Sequence, residues 1–200
     1  GRPGLGYEWF DWGGRRVFAL NSELMERNDN PTQRARRAAQ MAWLERELAQ
    51  APANMCTVAY FHRPPFSSGN NASPAWTLPI FRKLYKWGVD LYVAGHEHFF
   101  AYLPPLNPDG VVDRERGVEG IIAGTGGAVF HPDPRARKPR DLKWRLDGES
   151  LLANALGIVR LDLEPGTFKW EFVPVTRKLG FQYPSGSGIC HERPRVYLEP

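Results

Sequence analysis

The chain has 200 residues, 42% of them hydrophobic and 24% charged, with a formal net charge of +4. That length can bury one sizeable core, which indicates a single domain, and the composition is that of an ordinary globular protein. No apolar run reaches the 18 residues of a membrane helix, and the arginines are scattered or share one helix, so neither a membrane nor a nucleic-acid partner is expected. Twenty glycines and 18 prolines signal many turns and long loops. The chain opens Gly1-Arg2-Pro3-Gly4, with neither a methionine nor a signal peptide, and reads as the inside of a longer protein.

In chain order, residues 7–12 and 16–20 read as two strands joined at Gly13-Gly14, a hairpin signal. Residues 32–49 read as a helix. Asn30 can cap it, Pro31 fits its first turn, and Ala38, Met41, Leu44 and Leu48 form an apolar stripe. Arg34, Arg36 and Arg37 near its start oppose the helix dipole and suit a solvated face or an anion site. Residues 56–61 form a strand, 67–73 a small-polar loop, 76–87 a second helix ended by Gly88, and 89–94 another strand. This β-α-β-α-β alternation predicts a layered α/β domain.

The second half differs. Residues 118–123 read as a strand leading into a glycine cluster at 124–127, and residues 132–140 as a Pro/Arg-rich loop. Val159, Leu161 and Leu163 alternate with Arg160 and Asp162. After the Pro165-Gly166 turn, Phe168, Trp170 and Phe172 alternate with Lys169 and Glu171. That pattern predicts an antiparallel hairpin with one buried face.

The chemistry concentrates in the histidines. Gly95-His96-Glu97-His98 follows an apolar run beside a hinge glycine, and His62-Arg63-Pro64-Pro65-Phe66 follows another. Three of the five histidines therefore fall at the carboxyl ends of two strands, the edge where open α/β sheets build their sites. Imidazoles so placed suit a transition metal, and His62, His96 and His98 are the candidate ligands. The glycine cluster lacks the lysine, spacing and following helix of a phosphate-cradling loop, and reads as a tight loop under the site. His131 reads as an exposed loop residue, and Ser67-Ser68-Gly69 as a loop near the substrate without a nucleophile elbow.

Taken in order, His62 to Gly69, Gly95 to His98 and Gly124 to Ala128 resemble the motifs of the calcineurin-like metallophosphoesterases. The nearest branch is that of the bacterial relatives of purple acid phosphatases. Further matches include Trp12-Gly13-Gly14, Gln40 to Leu44, Asn107 to Gly110, Trp170 to Val175 and Ser185 to His191, so the resemblance spans nearly the whole chain. It implies a β-sandwich flanked by helices, in four layers α/β/β/α, of which this chain is the C-terminal half. It also implies hydrolysis of phosphomonoesters or phosphodiesters by a two-metal-activated hydroxide, with iron, zinc or manganese roughly 3.5–4 Å apart. By resemblance His62 and His96 hold one metal and His98 the other.

The departures carry as much information. The family's Asp-x-His, Gly-Asp and Gly-Asn-His motifs do not occur here. Residues 1–200 thus read as the C-terminal part of one catalytic domain, needing its N-terminal half to complete the site. Alone, such a chain is expected to hold at most one metal weakly and to turn over phosphate esters poorly. Arg63 stands where relatives often show a second histidine, and suits either a bidentate phosphate contact or a surface ion pair. Cys56 and Cys190 occupy positions where the related bacterial proteins carry cysteines, which implies a disulfide and a secreted or periplasmic location. The alternative class is a truncated or degenerate, non-catalytic binding or structural module of the same fold.

Overall fold

In the computed structural model, residues 4–26, 30–52, 55–69, 74–131, 133 and 148–191 are described. Strands β1 (Glu8–Trp12) and β2 (Arg15–Ala19) form the expected hairpin across Gly13-Gly14, with Trp9 opposite Phe18. Helix α1 spans Pro31–Ala49. The Asn30 side chain accepts from the Thr32 N–H, and Pro31 sits where a helix has no use for an N–H donor. Its buried face is Gln40, Leu44 and Leu48, one residue per turn, while the expected Ala38 is exposed. Gln40 displaces it because its amide is satisfied there. It accepts from Asn21 N at 2.8 Å and donates to Asn21 O at 3.0 Å.

Strand β3 (Cys56–Phe61), helix α2 (Pro74–Lys86) and strand β4 (Leu91–Ala94) complete the first half. Glu45 of α1 ties the two helices together. Burial would raise its pKa, but hydrogen bonds from Lys83, Lys86 and Trp87 hold it down at about 2.

Three strands were not legible in the sequence. Strand β5 (Phe100–Leu106) contains Pro104 and Pro105, residues that argue against an interior strand. Its pairing with β6 (Val118–Ala123) shifts register between Leu103 and Leu106, so the prolines sit in an irregularity and not in a regular ladder. Strand β7 (Ser150–Leu152) is only three residues long. Strand β10 (Ser185–Ile189) has almost no strand-forming residues. A Cβ on its Gly186 would meet the Trp170 ring at 2.7 Å, and one on Gly188 the Phe168 ring at 2.1 Å, so aromatic rings of its neighbour fill the space that side chains would need. The hairpin β8 (Gly157–Glu164) and β9 (Thr167–Pro174) is as expected, with Leu161 opposite Trp170.

These strands make a seven-stranded sheet, β1-β2-β3-β4-β6-β5-β7, and a three-stranded sheet, β10-β9-β8. Strands β2, β3, β4 and β6 run parallel, so their carboxyl ends share one edge. Alternation sends Phe18, Ala59, Phe61, Tyr92 and Ala94 to the helices, and Val58, Leu91, Phe100 and Ile121 to Phe168, Trp170 and Phe172 of the small sheet. The result is three stacked layers, helices, large sheet and small sheet, matching the expected sandwich except that no second helical layer occurs among the described residues. The expected loop 132–140 lies outside the described residues apart from Asp133. No described helix is long and apolar enough to cross a membrane.

A disulfide joins Cys56 to Cys190, pinning the end of the small sheet to the start of β3 with Cα atoms 5.3 Å apart. Beside it, Asp90 is almost fully buried. It accepts from the Thr57 N–H at 2.7 Å and from the His191 N–H at 2.6 Å. Burial pushes the nearby Glu119 carboxyl up to about 7; Asp90 adds to the rise, and the hydrogen bond from Tyr102 and the charge of His191 oppose it. A carboxyl whose folded pKa is raised binds its proton more tightly in the folded state, so its stabilising effect is complete below the unfolded value near 4.5 and is lost as pH rises through about 7. The wild-type melting temperature should therefore fall relative to that of Glu119→Gln between pH 4.5 and 7. Parallel thermal melts of the two proteins check this, and a constant difference across that range would refute it.

Candidate functional site

The shared carboxyl edge of β2, β3, β4 and β6 carries the candidate site. A 3-10 turn, Ser22–Met25, follows β2, His62 and Arg63 follow β3, residues 95–98 follow β4, and the glycine cluster follows β6. Backbone bonds hold these ends in step. The Gly95 N–H donates to His62 O at 3.0 Å, and the Arg63 N–H to Ser22 Oγ at 3.1 Å.

The hinge is His96 itself, not Gly95. His96 has φ +66°, the left-handed region that a residue with a side chain rarely enters, and a tight turn closes over it through the Glu97 N–H to Gly95 O at 2.8 Å, followed by another over His98, Phe99 N–H to Glu97 O at 2.8 Å. This strained residue turns its ring onto His62. His96 Nδ1 lies 3.0 Å from His62 Nε2, with ring centroids 4.9 Å apart.

Arg63 fixes the protonation pattern. Its Nη1 lies 3.0 Å from His96 Nε2, and a guanidinium can only donate, so Nε2 accepts and the His96 proton sits on Nδ1, facing His62. Burial lowers the His96 pKa, with the positive charge of Arg63 adding to the effect and the Glu97 and Glu23 charges opposing it, so the neutral ring is favoured. Arg63 is in turn held by Glu23, through Nε at 2.8 Å and Nη2 at 3.1 Å, and lies over the Trp76 ring. The ion pair with a carboxylate, one of its two expected roles, is present. The Arg63 hydrogen bond, ahead of an opposing burial effect, lowers the Glu23 pKa.

His98 points elsewhere. Its Nδ1 meets the Val129 carbonyl, which fixes the proton on Nδ1 and leaves the lone pair on Nε2. Its ring stacks on His131 with centroids 3.9 Å apart. His131, expected as an exposed loop residue, is half-buried. Its Nδ1 lies 3.1 Å from both the His98 N–H and Glu97 Oε2. The sequence signal for it was its place in the loop after a parallel strand, the same edge rule that marked the other three.

Glu97 is fully buried and organises the loops around it. A Cβ on Gly69 would sit 2.3 Å from its Oε1, and one on Gly124 only 1.9 Å from its carbonyl oxygen. The glycine cluster is therefore the tight loop under the site that its sequence suggested.

Could these residues hold a metal? Among the described residues no group of three or more His, Cys, Asp or Glu side chains forms a metal cluster. Two lone pairs that an ion would need, on His96 Nε2 and His62 Nε2, are already engaged by Arg63 and by His96. The donor set present here does not by itself fit a metal ion, still less two.

No protein-family model matches the chain. An alignment of 97 residues, 46% of this chain, is 32% identical to an acid phosphatase of Aspergillus ficuum and covers 16% of that protein. The structure of purple acid phosphatase PPD1 from yellow lupin (Lupinus luteus) seeds superposes with a TM-score of 0.66 at 18% identity, covering 90% of this chain and 32% of that one. GAP50, the anchor in the inner membrane complex of Plasmodium, superposes with a TM-score of 0.60 at 12% identity, covering 92% of this chain and 53% of that one. The chain has the fold of a purple acid phosphatase-like metallophosphoesterase and spans only part of the length of each of these proteins.

Gly124→Ala should cost about 2–3 kcal/mol, because the added methyl meets backbone that cannot yield. Gly126→Ala, with nothing within 4 Å of its Cβ, should stay within about 0.5 kcal/mol of wild type. Urea midpoints of the two variants measure the contrast, and equal midpoints would show that the loop does not press on Glu97.

Proposed function

We propose that these 200 residues are the C-terminal part of a phosphoesterase catalytic domain, acting on small phosphate esters with two metal ions of the iron, zinc or manganese class. The fold likeness and the acid phosphatase match support the reaction class. The observation that carries the site assignment is the convergence of His62 and His96 at one sheet edge, with His98 held in the tautomer that presents Nε2. When bound, the metals would supply charge neutralisation for the phosphoryl oxygens and an activated water. His62, His96 and His98 contribute only part of the ligand set, and the remainder comes from polypeptide outside this chain.

The residues of this chain have separable tasks. Glu23 and Arg63 orient the His96 ring, and Arg63 must release one of these partners before it can reach a phosphate. Val129 sets the His98 tautomer. Glu97 keeps the loops seated. The Cys56–Cys190 disulfide supports a secreted or periplasmic location, since such bonds persist in oxidising compartments.

A second reading, a non-catalytic module of this fold, draws on two observations. The His62 and His96 lone pairs are satisfied without metal, and one fold neighbour, GAP50, is an anchor in the inner membrane complex of Plasmodium. Metal analysis and p-nitrophenyl phosphate hydrolysis by the full gene product separate the two. For the enzyme, bound metal is expected, and His62→Ala, His96→Ala or His98→Ala should each lower turnover by about 100-fold or more. The 200-residue chain alone should show little metal-dependent turnover. A metal-free, inactive full product supports the module. Full activity in His96→Ala would overturn the ligand assignment.

A further inference from the structure

Where the loop after β6 meets the start of β8 and the end of β9, a pocket of about 440 Å³ opens. Phe130, Leu152, Leu156, Val175, Phe181 and Tyr183 give it an apolar and aromatic lining. Two sets of contacts join it to the candidate site. Phe130 stands in the chain between Val129, whose carbonyl meets His98 Nδ1, and His131, whose ring stacks on His98 with centroids 3.9 Å apart. Consecutive Cα atoms are about 3.8 Å apart, so Phe130 is held beside His98 from both sides. Thr125 of the glycine cluster exchanges two hydrogen bonds with Gly157. Its Oγ donates to Gly157 O at 2.8 Å, and its carbonyl accepts the Gly157 N–H at 3.1 Å. The Val175 N–H then donates to Leu156 O at 2.9 Å. The pocket and the loop that orients His98 are therefore one piece of structure.

The lining is built to meet a flat apolar group. Tyr183 is fixed in place: its hydroxyl accepts the Lys178 N–H at 3.1 Å and donates to Thr176 O at 3.2 Å, and its ring stacks on Phe172. Phe181 meets that ring edge-on, with centroids 4.7 Å apart. Much of this surface is nevertheless open to water, Val175 being 77% exposed, Phe181 47% and Phe130 39%. Asn154, also in the lining, has φ +56°, a left-handed conformation that a residue with a side chain rarely adopts outside functional loops. The volume is that of a small-molecule pocket. Among the described residues its lining holds no carboxylate and one cation, Lys178, so an anionic ester meets no like charge there. An alcohol rich in hydroxyls would leave water for few hydrogen-bond partners, whereas an aromatic ring would bury its faces against other rings.

We propose that this pocket holds the aromatic leaving group of a phosphate ester whose phosphoryl end lies at His98, which makes the enzyme selective for aryl phosphates over esters of polyols. The inference rests on the phosphoesterase reading for the reaction and adds the alcohol that the ester carries. In the hydrolysis a water oxygen bonds to phosphorus and the bond from phosphorus to the aryl oxygen breaks. The aryl oxygen leaves with the bonding pair and takes one of the protons of that water.

The test uses the full gene product with 1-naphthyl phosphate and glycerol 2-phosphate as substrates. The two alcohols differ in intrinsic reactivity, so the readout is the change that a variant makes in the ratio of their kcat/KM values. Phe181→Ser and Val175→Ser, both at exposed positions, should each lower that ratio at least about tenfold. Binding of 1-naphthol, followed by its own fluorescence, needs no turnover and should weaken about tenfold in the same variants. A ratio unchanged in both variants, with hydrolysis intact, would overturn the proposal and leave the phosphoesterase reading standing. Hydrolysis of neither ester would overturn that reading; the pocket is then judged by 1-naphthol, and binding unaltered in both variants would overturn it too. A concentration-dependent dimer abolished by Val175→Lys would assign the patch to a second copy and would likewise overturn the proposal.

Discussion

Asp90 is where the layers of this protein are fastened together. Its side chain is buried at the start of β4 and takes the Thr57 N–H of β3 on one oxygen. On the other it takes the His191 N–H, with the His191 ring 3.0 Å away. Its own backbone N–H donates to Thr57 O, and its carbonyl accepts from the Glu119 N–H of β6. One residue therefore joins three parallel strands of the large sheet to the tail that leaves the small one. The Cys56–Cys190 disulfide closes the same junction covalently. A buried carboxylate is tolerable only when its lone pairs are filled, and here the backbone does most of the filling. The geometry at this end is correspondingly fixed.

Fixing the amino ends of parallel strands has a consequence at the other end. The register set at Asp90 carries up β3, β4 and β6, so the residues that leave those strands emerge side by side. His62, residues 95–98 and the glycine cluster meet there because of that register, and not because they attract one another. Local chemistry then chooses orientations. Left-handed backbone at His96 throws its ring toward β3, and the next ring in the pair, His98, swings toward the loop after β6. Two histidines two residues apart thus serve different neighbours.

Much of this was readable from the sequence where one physical rule dominated. The hairpin at Gly13-Gly14, the cap at Asn30 and the alternation along β8 and β9 each follow from a single local cause. The boundaries of β3 and β6 were legible because short apolar runs ended in glycine or histidine. The failures came where a tertiary neighbour reversed a local preference. Pro104 and Pro105 sit inside a strand because a register shift absorbs them, and Gly186 and Gly188 lie in one because Trp170 and Phe168 fill the space above them. Gln40 took the place expected for Ala38 because Asn21, nineteen residues earlier, satisfies its amide. At the site the histidine positions were legible. The engagement of Arg63 with both Glu23 and His96, and the burial of Glu97 under two glycines, depend on contacts across 27 to 40 residues that no local pattern records.

The two ends of the large sheet differ in how far they satisfy their own polar groups. At the carboxyl edge, each candidate histidine has a hydrogen-bond partner: Arg63 for His96, His96 for His62 and Val129 for His98. Along the inner face near β1 the matching is incomplete among the described residues, and Arg15 keeps two buried donors unpaired beside exposed Trp12 and Tyr60. A buried guanidinium with donors unpaired carries a desolvation cost that the packing of β1 and β2 has to offset.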